Sequence, residues 1–173
     1  MGGLDKGLQV WRGKPLVLHA LQRLAPQVGS IMVNANRHLD TYRTFGTPVW
    51  PDEINDFPGP LAGLLAGLSH CATPFFASVP CDAPLFPMDL VARLGAALLG
   101  ENADIATPRA AGRLQPVFCL LRSELAESLR GFLQAGDRRV EAWISSHRRI
   151  EVPFDDALAF SNFNTLAELR RQD

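Results

Sequence analysis

Segments with helical spacing alternate with short apolar runs along this chain, and that alternation limits the fold more than any other feature. Val17, Leu21, Leu24 and Val28 recur at helical spacing through and just past residues 14–27, and Ser30-Ile31-Met32-Val33-Asn34 then reads as a buried strand. A short polar helix over 39–45 leads to a brief strand at Pro48-Val49-Trp50. Gly59-Pro60 opens an amphipathic helix through Leu61, Leu64, Leu65 and Leu68, where a first-turn proline costs no hydrogen bond. A strand over 75–79, a helix over 87–99 and a strand over 103–107 continue the order. Strands separated by helices pair in parallel, so the expected class is α/β: a Rossmann-like, mostly parallel sheet with helices on both faces. The turn-like stretch Arg109-Ala110-Ala111-Gly112-Arg113 feeds a run over 116–121 that reads as an antiparallel strand, which makes the sheet mixed. Helices over 123–134 and 139–146, a strand over 150–154 and a terminal helix over 165–171 complete the pattern. A length of 173 residues suits one domain, spanning 1–173, without internal repeat or linker.

Composition then removes several classes of function. The chain is 47% apolar and 20% charged, ordinary for a folded protein. Net charge is -1 and the arginines fall in separate pairs (Arg138-Arg139, Arg148-Arg149, Arg170-Arg171), so the basic face of a nucleic-acid binder is absent. No apolar run reaches the roughly 18 residues of a membrane span, and no signal-peptide pattern opens the chain. The three cysteines, Cys71, Cys81 and Cys119, fit neither a disulfide framework nor a zinc site, which points to a cytoplasmic location. None of the four histidines forms an H-x-x-x-H pair, and no G-x-S-x-G motif suggests covalent catalysis.

The apolar run over 75–79 ends directly at Pro80-Cys81-Asp82-Ala83-Pro84. In open α/β sheets ligands collect at the carboxyl ends of the strands, so Asp82 stands where a metal or phosphate ligand would stand. The plainer reading is a turn aspartate beside proline. Lys6 lies among Gly2, Gly3 and Gly7, where backbone and ammonium can approach one anion closely, although most lysines near a chain end are solvated. Asn34 and Asp52 both end expected strands; each could bond a nucleoside, and each could equally satisfy local backbone. Gly59-Pro60-Leu61-Ala62-Gly63 could turn helix amides toward an anion, or Gly63 and Gly67 could simply allow close packing. A carboxylate for a hard cation plus a base for phosphates is what nucleotidyl transfer needs.

Taken in order, MGGLDKG, GKPL, VNANR, PGPLAG and PCDAP, with AGDRRV and FSNFNTLAEL downstream, resemble the molybdenum cofactor guanylyltransferases over essentially the whole chain. PGPLAG and the P-C-D-x-P bracket are shared with a wider group of nucleotidyltransferases, whereas VNANR and DKG point to the guanylyl branch. The resemblance implies a fold of the nucleotide-diphospho-sugar transferase type and transfer of GMP from GTP to molybdenum-molybdopterin, with release of pyrophosphate. It also implies Lys6 on the GTP phosphates, Asn34 and Asp52 on the nucleoside, and Asp82 on both Mg²⁺ and nucleotide. Arg138, Arg139, Asn162 and Asn164 would then meet the anionic pterin. Molybdoenzymes or their chaperones are the partners the family suggests.

Members of that family begin with a strand and a loop of the form LAGGxSxR ahead of the stretch matched by MGG. The expectation that follows is a chain truncated at its N-terminus, with Met1 internal to a longer active protein. Two rival readings stay open at this stage: a cytidylyltransferase acting on the same pterin, and a truncated, non-catalytic molybdopterin-binding partner.

Overall fold

The computed structural model describes residues 5–54 and 59–163. After a 3-10 turn at Lys6–Leu8 come β1 (Val10–Trp11), β2 (Lys14–Pro15), α1 (Leu16–Leu24), β3 (Val33–Asn34), α2 (Leu39–Arg43), β4 (Val49–Trp50) and α3 (Pro60–Ser69). The second half holds β5 (Phe75–Ser78), α4 (Leu90–Gly100), β6 (Ile105–Ala110), β7 (Arg113–Leu114), β8 (Cys119–Arg122), α5 (Ala126–Gln134), α6 (Val140–Ser145) and β9 (Arg149–Phe154). The terminal helix expected over 165–171 and the candidate Asn164 lie outside the described residues.

β3 and β4 pair in parallel, Val33 opposite Val49 and Asn34 opposite Trp50. The larger sheet runs β5-β8-β6-β7, with β9 on the other edge of β6. β8 is antiparallel to both β5 and β6, and β9 is parallel to β6. Three strands, β5, β6 and β9, therefore share one direction, and the expected antiparallel strand is the one inserted between β5 and β6.

Side-chain alternation along the strands sorts two cores onto the two faces of this sheet. Ala106 and Leu120 face α1 and α4, packing with Leu24, Leu90, Leu94 and Leu98. Ile105, Cys119 and Leu121 face the opposite way, onto Leu61, Leu65 and Leu68 of α3, Leu129 of α5 and Trp143 of α6. α3 is apolar around nearly its whole circumference, and all of its residues from Leu61 to Leu68 except Gly63 are buried.

The elements depart from the sequence reading at three edges. Helix α1 starts at Leu16 because Lys14–Pro15 is taken up in a hairpin with Val10–Trp11, turned by Arg12 (φ 46°) and Gly13 (φ 75°). Two successive positive φ values make the tight turn whose twist suits a hairpin. β3 keeps only the last two residues of the strand expected over 30–34. β6 runs on to Ala110, since β9 pairs with it along all six residues, and the turn shrinks to Ala111 (φ 47°) and Gly112 (φ 72°). No helix among the described residues is long and apolar enough to cross a membrane.

Candidate active site

Two hydrogen-bonded groups form at the carboxyl ends of the strands. In the first, Lys6 Nζ donates to Asp82 Oδ2 at 3.3 Å, across 76 residues of sequence. Asp82 follows β5, with its side chain only 13% exposed, whereas the Lys6 side chain is 51% exposed and can swing toward a ligand. The turn carrying Lys6 is capped by Asp5, whose Oδ1 accepts from Gly7 N at 3.1 Å and from the Tyr42 hydroxyl at 2.6 Å. A side chain at Gly7 would meet Tyr42 Oη at 2.4 Å and Cys81 Sγ at 3.0 Å. The glycine in DKG thus lets the Lys6 turn lie directly against the Asp82 loop.

Electrostatics around this pair disfavour a thiolate nucleophile. Burial, followed by the Asp82 and Asp5 charges, pushes the Cys81 thiol up to about 12, so it stays protonated and a poor nucleophile near neutrality. Burial and the bond to Asp5 likewise push the Tyr42 hydroxyl upward, which keeps it a donor.

In the second group, Asn34 Nδ2 donates to Asp52 Oδ1 at 2.9 Å and to the Trp50 carbonyl at 3.1 Å. Asn36, which sequence reasoning passed over inside VNANR, donates from Nδ2 to Asp52 Oδ2 at 2.7 Å, and its Oδ1 accepts from Asp52 N at 2.8 Å. A parallel β3–β4 pair brings these three side chains together because both strands end at the same level. The start of α3 closes on the group: a Cβ at Gly63 would stand 2.6 Å from Asn34 Oδ1. Beneath both groups lies one apolar cluster of Val17, Val33, Tyr42 and Val49, with Leu8 and Cys81 packed against it.

The expected pterin-side residues divide between two places. Asn162 is exposed and directly precedes Phe163, whose N–H donates to the Asp82 carbonyl at 2.7 Å. Arg138 and Arg139 open α6 on the opposite core. Asp137 Oδ1 accepts from both of their backbone amides, at 2.7 and 3.0 Å, and Asp137 binds the Arg139 guanidinium through Nε at 3.1 Å and a terminal nitrogen at 2.6 Å. That pairing holds the Asp137 carboxyl well below the usual carboxylate range. Arg139 lines an open groove of about 570 Å³ with Pro116, Val140, Glu141, Ala142 and Ser145.

No group of three or more His, Cys, Asp or Glu among the described residues forms a ready-made metal cage. A single, largely buried carboxylate at Asp82 nevertheless suits a magnesium-like cation, which keeps several waters and takes its other ligands from substrate phosphates.

Known proteins resemble this chain over most of its length. A family model described as a MobA-like NTP transferase domain matches residues 1–150. A Bordetella petrii protein named molybdenum cofactor guanylyltransferase is 56% identical, covering 99% of this chain and 89% of its own. A Methylibium petroleiphilum protein of the same name is 58% identical over 99% of this chain and 88% of its own. Among solved structures, molybdopterin-guanine dinucleotide biosynthesis protein A from Archaeoglobus fulgidus superposes with a TM-score of 0.79 at 18% identity, covering 98% of this chain and 89% of that one. A Mycobacterium tuberculosis protein solved as a complex with manganese gives 0.73 at 17% identity, covering 98% and 91%. At such identities the structural likeness bears on fold, a mixed, mostly parallel α/β sheet of the nucleotidyltransferase type. With the family model matching most of the chain and relatives above half identity across nearly all of it, this chain belongs to the MobA-like NTP transferase family.

Proposed function

We propose that this protein transfers GMP from GTP to molybdopterin, forming the guanine dinucleotide form of the molybdenum cofactor and releasing pyrophosphate. The observation that carries the reading is the meeting of Lys6 and Asp82, a half-exposed cation and a sheltered carboxylate 3.3 Å apart at the carboxyl end of β5. The names of the relatives at 56–58% identity supply the substrates, and nothing in the site favours the cytidylyl or non-catalytic alternatives.

Asp82 would hold Mg²⁺, which when bound neutralises phosphate charge and orients the leaving group. Lys6, half-exposed beside Asp82, would meet the phosphates. Asn34 and Asp52 hold the nucleoside, Asn36 keeps the Asp52 carboxylate in one orientation, and Asn162 meets the pterin beside the Asp82 loop. An oxygen of the pterin phosphate attacks the α-phosphorus in line as the bond to the β-phosphate oxygen breaks, and the electron pair leaves with pyrophosphate. The attacking phosphate is already anionic, so no general base is required. The neutral Cys81 thiol fits a route without an enzyme-bound intermediate.

The test is pyrophosphate release with molybdopterin and Mg²⁺, comparing GTP with CTP. Lys6→Ala and Asp82→Asn should each lower kcat by about 10²–10³-fold, as expected when one preorganised charge is lost from a transferring phosphoryl group. Equal rates with CTP, or full activity of Asp82→Asn, would remove this reading.

A further inference from the structure

The two ends of the loop that carries Asp82 are held differently. Downstream, the Arg23 guanidinium donates to the Phe86 carbonyl, and Gln27 Nε2 donates to the Pro87 carbonyl at 3.2 Å. At Asp82 itself, the main chain is tied by the Phe163 N–H, 2.7 Å from its carbonyl oxygen. The Phe163 ring is buried in a small cluster of its own with Trp11 and Leu16, and Leu85 of the same loop packs against it. Its ring centroid lies 5.3 Å from that of Trp11, on the hairpin that directly follows the Lys6 turn. One residue thus touches the chain on both sides of the Lys6–Asp82 pair and directly follows Asn162.

We propose that Phe163 is a positioning residue, a latch that sets the Asp82 loop against the hairpin following the Lys6 turn and links the segment bearing Asn162 to the charged pair. The role assigned to Asp82 rests on the nucleotidyl-transfer reading; the latch itself does not. A seated side chain limits how far its own backbone amide can move, so the ring provides the anchoring and the amide provides the alignment. Removing the ring should loosen residues 80–83 locally, while the main sheet stays closed.

Two cysteines of the protein make this testable without any assay of activity. Cys81 adjoins Asp82, and Cys119 is buried in β8 at the centre of the main sheet. Iodoacetamide labelling at fixed pH, resolved by peptide mass spectrometry, should show Cys81 in Phe163→Ala reacting about five- to tenfold faster than in the parent, with Cys119 unchanged. Phe163→Leu, which refills most of the cluster, should restore the parental Cys81 rate to within about twofold. Manganese titration followed by electron paramagnetic resonance should show weaker binding in Phe163→Ala and recovery in Phe163→Leu. Parallel acceleration of Cys81 and Cys119 would mean general destabilisation, and an unchanged Cys81 rate would mean that Phe163 does not hold the loop; either result overturns the proposal. Failure of GTP turnover with parental labelling differences intact would count against the nucleotidyl-transfer reading and leave the latch standing.

Discussion

Gly63→Ala separates the packing of α3 from the geometry of the Asn34 group. The added Cβ would stand 2.6 Å from Asn34 Oδ1 and 3.4 Å from its Cγ, so one of the two must move. The clash falls on the tip of an exposed, rotatable side chain, and Asn34 will therefore swing aside, losing its bonds to Asp52 and the Trp50 carbonyl. Two exposed hydrogen bonds at the low end of their range are worth about 1 kcal/mol together. Replacing a mid-helix glycine by alanine returns about 0.5–1 kcal/mol. The net change in stability is close to zero, and for a chain of this size Tm should stay within about 2 °C of the parent. Nucleoside contacts should suffer more: losing one or two oriented bonds worth about 0.7–2 kcal/mol raises KM for GTP by about 3- to 30-fold. Thermal melting and pyrophosphate release measure the two effects separately. In an Asn34→Ala background the same substitution should leave KM unchanged, because its clash partner is gone, and keep only the helix gain of about 0.5–1 kcal/mol. A fall in Tm beyond about 5 °C, or an unchanged KM, would refute the argument.

Gly67→Ala should cost more, because its Cβ would overlap the end of the Phe76 ring of β5, a rigid, half-buried group that can yield only by turning as a whole. Overpacking costs about 1–3 kcal/mol against the helix gain of about 0.5–1, so differential scanning fluorimetry should read a Tm about 2–6 °C lower. Asp104 accepts from Arg148 Nε at 3.0 Å and from its terminal nitrogen at 2.5 Å, which holds the Asp104 carboxyl below the usual range and staples the starts of β6 and β9. A depressed carboxylate stabilises the fold above its unfolded value of about 3.9, and that contribution fades as pH falls toward the folded value. The Tm gap between parent and Asp104→Asn should therefore be full above about pH 5 and narrow progressively as pH falls below about 4; a gap that stays constant on acidification would contradict the assignment.

The layering of this protein was legible because periodicity reports burial. Leucines at helical spacing in α3 and α4 name the buried faces, and the unbroken apolar run of β8 marks a strand covered on both sides, without reference to any distant residue. The hairpin at Val10–Trp11 and Lys14–Pro15 was missed although Arg12-Gly13 offered a local signal, a glycine where a tight turn needs positive φ. Asn36 was missed for a different reason, since nothing in VNANR distinguishes it from its neighbours until β4 sets Asp52 beside it.

Local pattern therefore determined the helices, most of the strands, the two-faced sheet and the kinds of residue available for phosphate chemistry. Partnership was decided by the tertiary structure. Lys6 meets Asp82, and Phe163 meets the Asp82 carbonyl, only because strand order and direction return distant segments to one end of the sheet. A hydrogen bond depends on a few tenths of an ångström and on direction, whereas hydrophobic burial depends only on area. The pattern that encodes area is written along the chain, but the geometry that encodes a site exists only once the chain has closed upon itself.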